Sequence, residues 1–281
     1  MHFRELLSAA CAGSLNACKA CSWAPSRQPN VGFGVSCSKH GVDIASARRA
    51  ISMLVLSDPA DTTPHVTGRL CFVCNSRNPT DRTAQHAFAL WRAAVSLADD
   101  GSESCRYLDR HYWTNSVLHG LAKRKRTNSP LWVARRHCSA VLRAQIETLA
   151  PRVLIASGQN AANSLHDLGL LSVPWEEYSP MRSGSHREVS ILNGQPIEVF
   201  ATYHTSATGV NCAVSKLYDA AHIEPCISQK ARVLADRGSV EAFLARYAVN
   251  RPNDAESRGM RVLLAHWLDI GSALRNAYSS V

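Results

Sequence analysis

Short apolar runs recur along this 281-residue chain, and amphipathic helical stretches lie between them. The run in "ISMLVLSD" (51–58) is apolar on both faces and stops abruptly, the mark of a strand covered on both sides. "TAQHAFALWRAAVSLADDG" follows with the spacing of an amphipathic helix, and "YLDRHYWTNSVLHG" carries a second strand ending at Asn115. In "PLWVARRHCSAVLRAQIETLA", Cys138, Val141, Leu142, Ile146 and Leu149 share one helical face, and Pro151 stops the helix. "PRVLIASG" is the next strand and "QNAANSLHDLG" the next helix, closed by Gly169. "REVSILNGQPIEVFATYH" predicts a hairpin that turns at Asn193-Gly194. From about residue 213 the pattern is helical to the end, interrupted by "NRPNDAESRG". This is βαβ-type alternation, which builds a mostly parallel sheet covered by helices.

Apolar residues at 46% and charged residues at 19% supply an ample core, as in ordinary globular proteins. The net charge of +9 leans toward a polyanionic partner, with nucleic acid first. No apolar stretch approaches the roughly 18–20 residues of a membrane-spanning helix, so no membrane partner is expected. The opening "MHFRELLSAACAGSLNACKAC" is broken by Ser8, Gly13, Ser14 and Asn16, and reads as a first amphipathic helix of a cytoplasmic protein. Ten cysteines without the spacing of a small disulfide scaffold point to metal binding or to burial. Two pairs have C-x-x-C spacing, Cys18/Cys21 and Cys71/Cys74.

In such sheets, reactive residues gather at the carboxyl ends of the strands. Three polar residues stand there: Asp58 after "MLVLS", Asn115 after "YWT", and His204 after "VFATY". Each has a plain alternative. Asp58 before Pro59 can start a turn, Asn115 can satisfy backbone groups, and His204 can be a hydrogen-bonded core histidine. Neither G-x-S-x-G nor G-x-x-x-x-G-K-[ST] occurs, which removes the nucleophile elbow and the phosphate loop.

Several segments together resemble the uracil-DNA glycosylase superfamily, in particular its iron–sulfur branch (family 4-like). "HCSAVLRAQIETLAPRVLIASGQNAANSL" is similar to that branch's cysteine, L-x-x-Q helix, Pro-Arg, strand and alanine-rich helix. "YWTNSVLHG" resembles the T-N-x-V-K strand end, "TYHTSA" the T-x-H-P-S motif, "TGRLCF" the G-R-P-F segment, and "ACKACSWAP" the N-terminal C-x-x-C-x-L. The matches run in order from about residue 15 to 208. The resemblance implies a three-layer α/β/α fold around a central, mostly parallel four-stranded sheet. It implies a catalytic domain over 1–212, a bacterial cytoplasmic setting and a monomer. The last stretch of about 70 residues has no counterpart in that family, and its helical pattern is expected to form a C-terminal extension over 213–281 packed on the same domain.

What the resemblance implies for chemistry follows residue by residue. Asp58 stands where one branch has its catalytic aspartate, within Ser57-Asp58-Pro59-Ala60, although the rest is similar to the iron–sulfur branch. Its carboxylate would stabilise the cationic sugar of an oxocarbenium-like transition state, with the nucleotide flipped out of the stack. Phe72 would stack on the base, Asn115 would read uracil O4 and N3–H, and His204 would hydrogen-bond O2 of the departing uracil. Ser57 and Ala60 would line the base pocket, and Ser206 would contact a phosphate. The run Lys123-Arg124-Lys125-Arg126 reads as a phosphate contact or as a solvated loop. It lacks the histidine that lets one sub-branch trap the abasic sugar covalently.

Cys18, Cys21 and Cys138 match three ligands of a 4Fe-4S cluster, and His119 stands at the fourth position. Structural zinc on the same ligands, or plain buried thiols, are the alternatives. Ala60 replaces a bulky residue that excludes the thymine methyl, so looser base discrimination is expected. "ATGVN" after Ser206 lacks the leucine wedge, so weak retention of abasic DNA is expected. The expected activity is monofunctional excision of uracil from DNA in base excision repair. The alternative is a non-catalytic cluster or zinc protein that binds uracil-containing or single-stranded nucleic acid.

Overall fold

The computed structural model describes residues 50–57, 82–95, 111–117, 131–178, 181, 183–207, 209–234, 237–250 and 254–279. In chain order the elements are β1 (Ser52–Leu56), α1 (Arg82–Val95), β2 (His111–Asn115), α2 (Leu131–Leu149), β3 (Val153–Ser157), α3 (Gln159–Asp167), α4 (Trp175–Tyr178), β4 (His186–Leu192), β5 (Gln195–Thr202), α5 (Ala220–Ala231), α6 (Gly238–Arg246) and α7 (Ala255–Ser279). One sheet contains the strands in the order β2-β1-β3-β5-β4. The four strands β2, β1, β3 and β5 are parallel, and β4 is antiparallel to β5.

β1, β2 and β3 are buried along nearly their whole length, whereas β4 alternates half-buried and exposed positions as an edge strand does. Alternation along each strand sorts the side chains into two layers. Leu54, Leu56, Trp113, Val153, Ile155 and Phe200 pack on one face beneath α1, α5, α6 and α7. Met53, Val55, Tyr112, Leu154, Ala156 and Val199 pack on the other face beneath α2 and α3. The result is a three-layer α/β/α sandwich, as expected.

Among the described residues the sheet has five strands rather than the four expected. The extra one is β4, the first arm of the hairpin at Asn193-Gly194. Both turn residues adopt left-handed backbone, φ 50° and 74°, as a tight two-residue turn between twisted strands requires. Helix α2 stops where its sequence dictates. Ala150 bonds back to the Ile146 carbonyl but turns left-handed at φ 42°, because Pro151 excludes the helical conformation from the residue before it.

Helix α7 is buried on nearly every side and lies over the β3 and β5 region of the sheet. It reaches the sheet's far end through Tyr278, whose hydroxyl hydrogen-bonds His111 Nε2. Ser52 Oγ holds the other ring nitrogen of His111, and Trp91 stands edge-on to it at 4.9 Å. Burial lowers the His111 pKa to about 3, so it sits in the core as a neutral ring.

Candidate active site

The four parallel strands end on a common rung. Val55 aligns with Thr114 and Ala156, and Ala156 with Ala201, so Leu56, Asn115, Ser157 and Thr202 are level. From β2 to β5 is three inter-strand spacings, about 14 Å.

On the β1–β2 side, the chain leaving β2 binds back onto β1. Ser116 N–H donates to the Leu56 carbonyl at 2.8 Å, Val117 N–H to the Ser57 carbonyl at 2.9 Å, and Ser116 Oγ to the same Ser57 carbonyl at 2.8 Å. Ser116 therefore supplies the strand-end capping that Asn115 could have provided. Asn115 is half-buried, and its amide makes no hydrogen bond among the described residues. From α3, Asn160 Nδ2 donates to Ser57 Oγ at 2.9 Å, which ties the first turn of that helix to the end of β1.

On the β3–β5 side, Gly158 joins β3 to α3 with φ +89° and donates its N–H to the Thr202 carbonyl at 2.7 Å. A Cβ at residue 158 would lie 2.8 Å from His204 Cβ and 3.3 Å from Cδ2. The glycine is thus the floor on which the histidine rests. His204 is oriented from its other side by Ser206, whose backbone N–H lies 3.0 Å from Nδ1. A backbone amide can only donate, so Nδ1 accepts and the ring proton sits on Nε2. His204 is therefore held as a neutral Nε2–H donor.

The segment after His204 is wound tightly. Ser206 Oγ accepts from Gly209 N–H at 3.1 Å, and Val210 N–H donates to the Ser206 carbonyl at 2.9 Å. The hydroxyl proton of Ser206 has no acceptor among the described residues. Thr205, between them, is fully buried. Glu176 on α4 is already engaged at 2.6 Å by Gln159 at the start of α3. Its own backbone N–H and Gln159 keep its carboxyl below the usual range.

Among the residues named from the sequence, Ser57, Asn115, His204 and Ser206 lie along this one edge, and Cys138 is buried in α2. Asp58, Ala60, Phe72, His119, Cys18, Cys21 and Lys123 to Arg126 lie outside the described residues. Among the described residues, no three histidine, cysteine or acidic side chains converge as metal ligands, and no helix is long and apolar enough to cross a membrane. Sequence reading missed Gly158 and Asn160 as parts of the site. Gly158 carried a signal, a glycine directly between a strand and a helix, whereas Asn160 carried none.

The sequence matches the family described as the uracil DNA glycosylase superfamily over residues 53–220, more than half of the chain. No curated protein matches it significantly.

Proposed function

The chain belongs to the uracil DNA glycosylase superfamily, and from that premise we propose that it hydrolyses the N-glycosidic bond of uracil in DNA, leaving an abasic site for base excision repair. The observation that carries the reading is the pairing, on one sheet edge, of an amide with no hydrogen bond among the described residues and a histidine fixed as an Nε2–H donor. Uracil offers O4 and N3–H to the amide and O2 to the imidazole. Cytosine presents the opposite donor and acceptor pattern to the amide.

As the glycosidic bond breaks, its electrons pass to the base and negative charge grows on O2. The Nε2–H of His204 donates to that oxygen, an oxyanion-type stabilisation that needs no charged histidine. Positive charge grows on the sugar, and Asp58, next after Ser57, is assigned to stabilise it and to orient the attacking water. Water adds its oxygen to C1′, and its proton ends on solvent or uracil. Phe72 is assigned to stack on the flipped base, contributing about 1–3 kcal/mol. Ser206 and the basic run 123–126 are assigned to phosphates, where they add salt-sensitive affinity without sequence preference.

A 4Fe-4S cluster on Cys18, Cys21, His119 and Cys138 is part of the proposal, with zinc as the alternative. The burial of Cys138 in α2 suits a ligand shielded from solvent. The group would tie α2, through Cys138, to the segments that carry Cys18, Cys21 and His119. Iron and zinc content with the visible spectrum decides between them, and a Cys138→Ser variant should lose the metal.

The direct test is purified protein on an oligonucleotide bearing a single uracil, with strand scission after alkali. Cleavage at the uracil is expected, with losses of about 10²–10³-fold in His204→Ala and a comparable loss in Asp58→Asn. Binding without cleavage by the wild-type chain would instead favour the non-catalytic reading. An Asp58→Ala variant with full activity would remove the assigned role of Asp58.

A further inference from the structure

Helix α1 carries a buried histidine that the base chemistry does not use. His86 is 1% exposed, and its Nδ1 lies 2.9 Å from the carbonyl oxygen of Thr205. A carbonyl only accepts, so Nδ1 carries a proton and donates it. On the other side of the ring, Nε2 lies 3.0 Å from Glu256 Oε1, in the first turn of α7. Arg82 Nη1 approaches the same oxygen at 3.4 Å. Tyr247, at the end of α6, stands edge-on to the ring at 6.3 Å, with the Arg246 guanidinium over its own face. The imidazole is thus held at both ring nitrogens, by the loop carbonyl on one side and by the α7 carboxyl on the other.

The position of the accepted carbonyl gives this contact its consequence. The Thr205 carbonyl and the Ser206 N–H belong to the same peptide unit. That N–H is the donor that fixes His204 Nδ1 at 3.0 Å. A peptide unit is planar, so holding its oxygen sets the direction of its N–H. Hydrogen bonds at both ends of one amide also strengthen each other. Thr205 has no proline ring to stiffen the backbone here, and its own hydroxyl donates to the Thr83 carbonyl at a long 3.4 Å. One turn further along α7, Gly259 lets the helix backbone close on the Val210 carbonyl, at the end of the same loop.

We propose that His86, braced by Glu256, is a positioning residue that orients the Thr205–Ser206 peptide and thereby holds His204 in its Nε2–H form for base departure. The inference rests on the role assigned to His204 above and deepens it. It also gives α7, which lies beyond the family match, a part in the site.

Three substitutions separate the two contacts. His86→Leu removes both, His86→Asn places an amide N–H near the Nδ1 position, and His86→Gln places one near the Nε2 position. His86→Leu should lower the single-turnover rate about tenfold, with affinity for uracil-containing DNA within twofold of wild type. His86→Asn should recover most of that rate and His86→Gln little of it. In parallel, ¹⁵N-detected imidazole spectra should show His204 as a single Nε2–H tautomer in the wild type and as a mixture in His86→Leu and His86→Gln. Should the leucine variant not fold, the glutamine and Glu256→Ala variants carry the same test. A folded His86→Gln with wild-type rate and an unchanged His204 spectrum overturns the relay. A wild-type chain inactive on uracil, yet with a His204 tautomer that responds to residue 86, overturns the proposed function and leaves the relay standing.

Discussion

Replacing Gly158 by alanine should damage the site through two separate effects. The backbone at residue 158 has φ +89°, a conformation that costs an L side chain about 1–3 kcal/mol. That is a loss of stability, and for a domain of this size it lowers Tm by roughly 3–9 °C. The added Cβ would also stand 2.8 Å from His204 Cβ, where ordinary contact begins near 3.4 Å. His204 must therefore retreat by about 0.6 Å at its Cβ, with more movement at the ring tip, since a ring magnifies motion at its root. Retreat stretches the 3.0 Å bond between Nδ1 and the Ser206 N–H and carries Nε2 away from O2 of the base. A misplacement near 1 Å costs up to about 10²-fold in rate. A 10- to 100-fold fall in single-turnover rate is expected, measured well below the variant's Tm and normalised to folded protein. Were Gly158→Ala to cleave within twofold of wild type while folded, His204 would not be the group on which base departure depends.

Two further predictions concern other parts of the chain. His111 has its pKa lowered from 6.5 to about 3 by burial, so between those values the unfolded chain binds a proton that the folded chain refuses. Its contribution is intact above pH 6.5 and is lost as pH falls toward 3, at up to about 1.4 kcal/mol per pH unit. Urea unfolding between pH 6 and pH 4 should show a shallower slope in His111→Gln, and equal slopes would place the ring elsewhere than the core. The segment after Ser206 reads Ala207-Thr208-Gly209-Val210-Asn211, with no leucine wedge. Abasic DNA should therefore be released more readily than uracil-DNA is bound, and gel shifts showing equal retention would refute this.

Much of the scaffold was legible in local pattern. Strand ends at Asn115 and after Leu56, the stop of α2 before Pro151 and the turn at Asn193-Gly194 all follow from period and punctuation, which act over a few residues. The same signals named Asn115 and His204 as strand-end residues. They fell short on strand number, because a hairpin arm such as β4 joins the sheet only through its partner β5. They also said nothing of Asn160 reaching Ser57 over 103 residues of separation.

The amino-acid sequence by itself determined the order of strands and helices, the positive charge, and the residue types available at the carboxyl edge. Only the tertiary structure decided that Ser116 and not Asn115 caps β1, and that Gly158 and Ser206 grip His204 from two sides. It alone brought Glu256 across 170 residues to His86. The physical reason is range: helix and strand periodicity is written in neighbours, whereas a hydrogen bond between two helices and a loop depends on which faces the packed core turns toward each other.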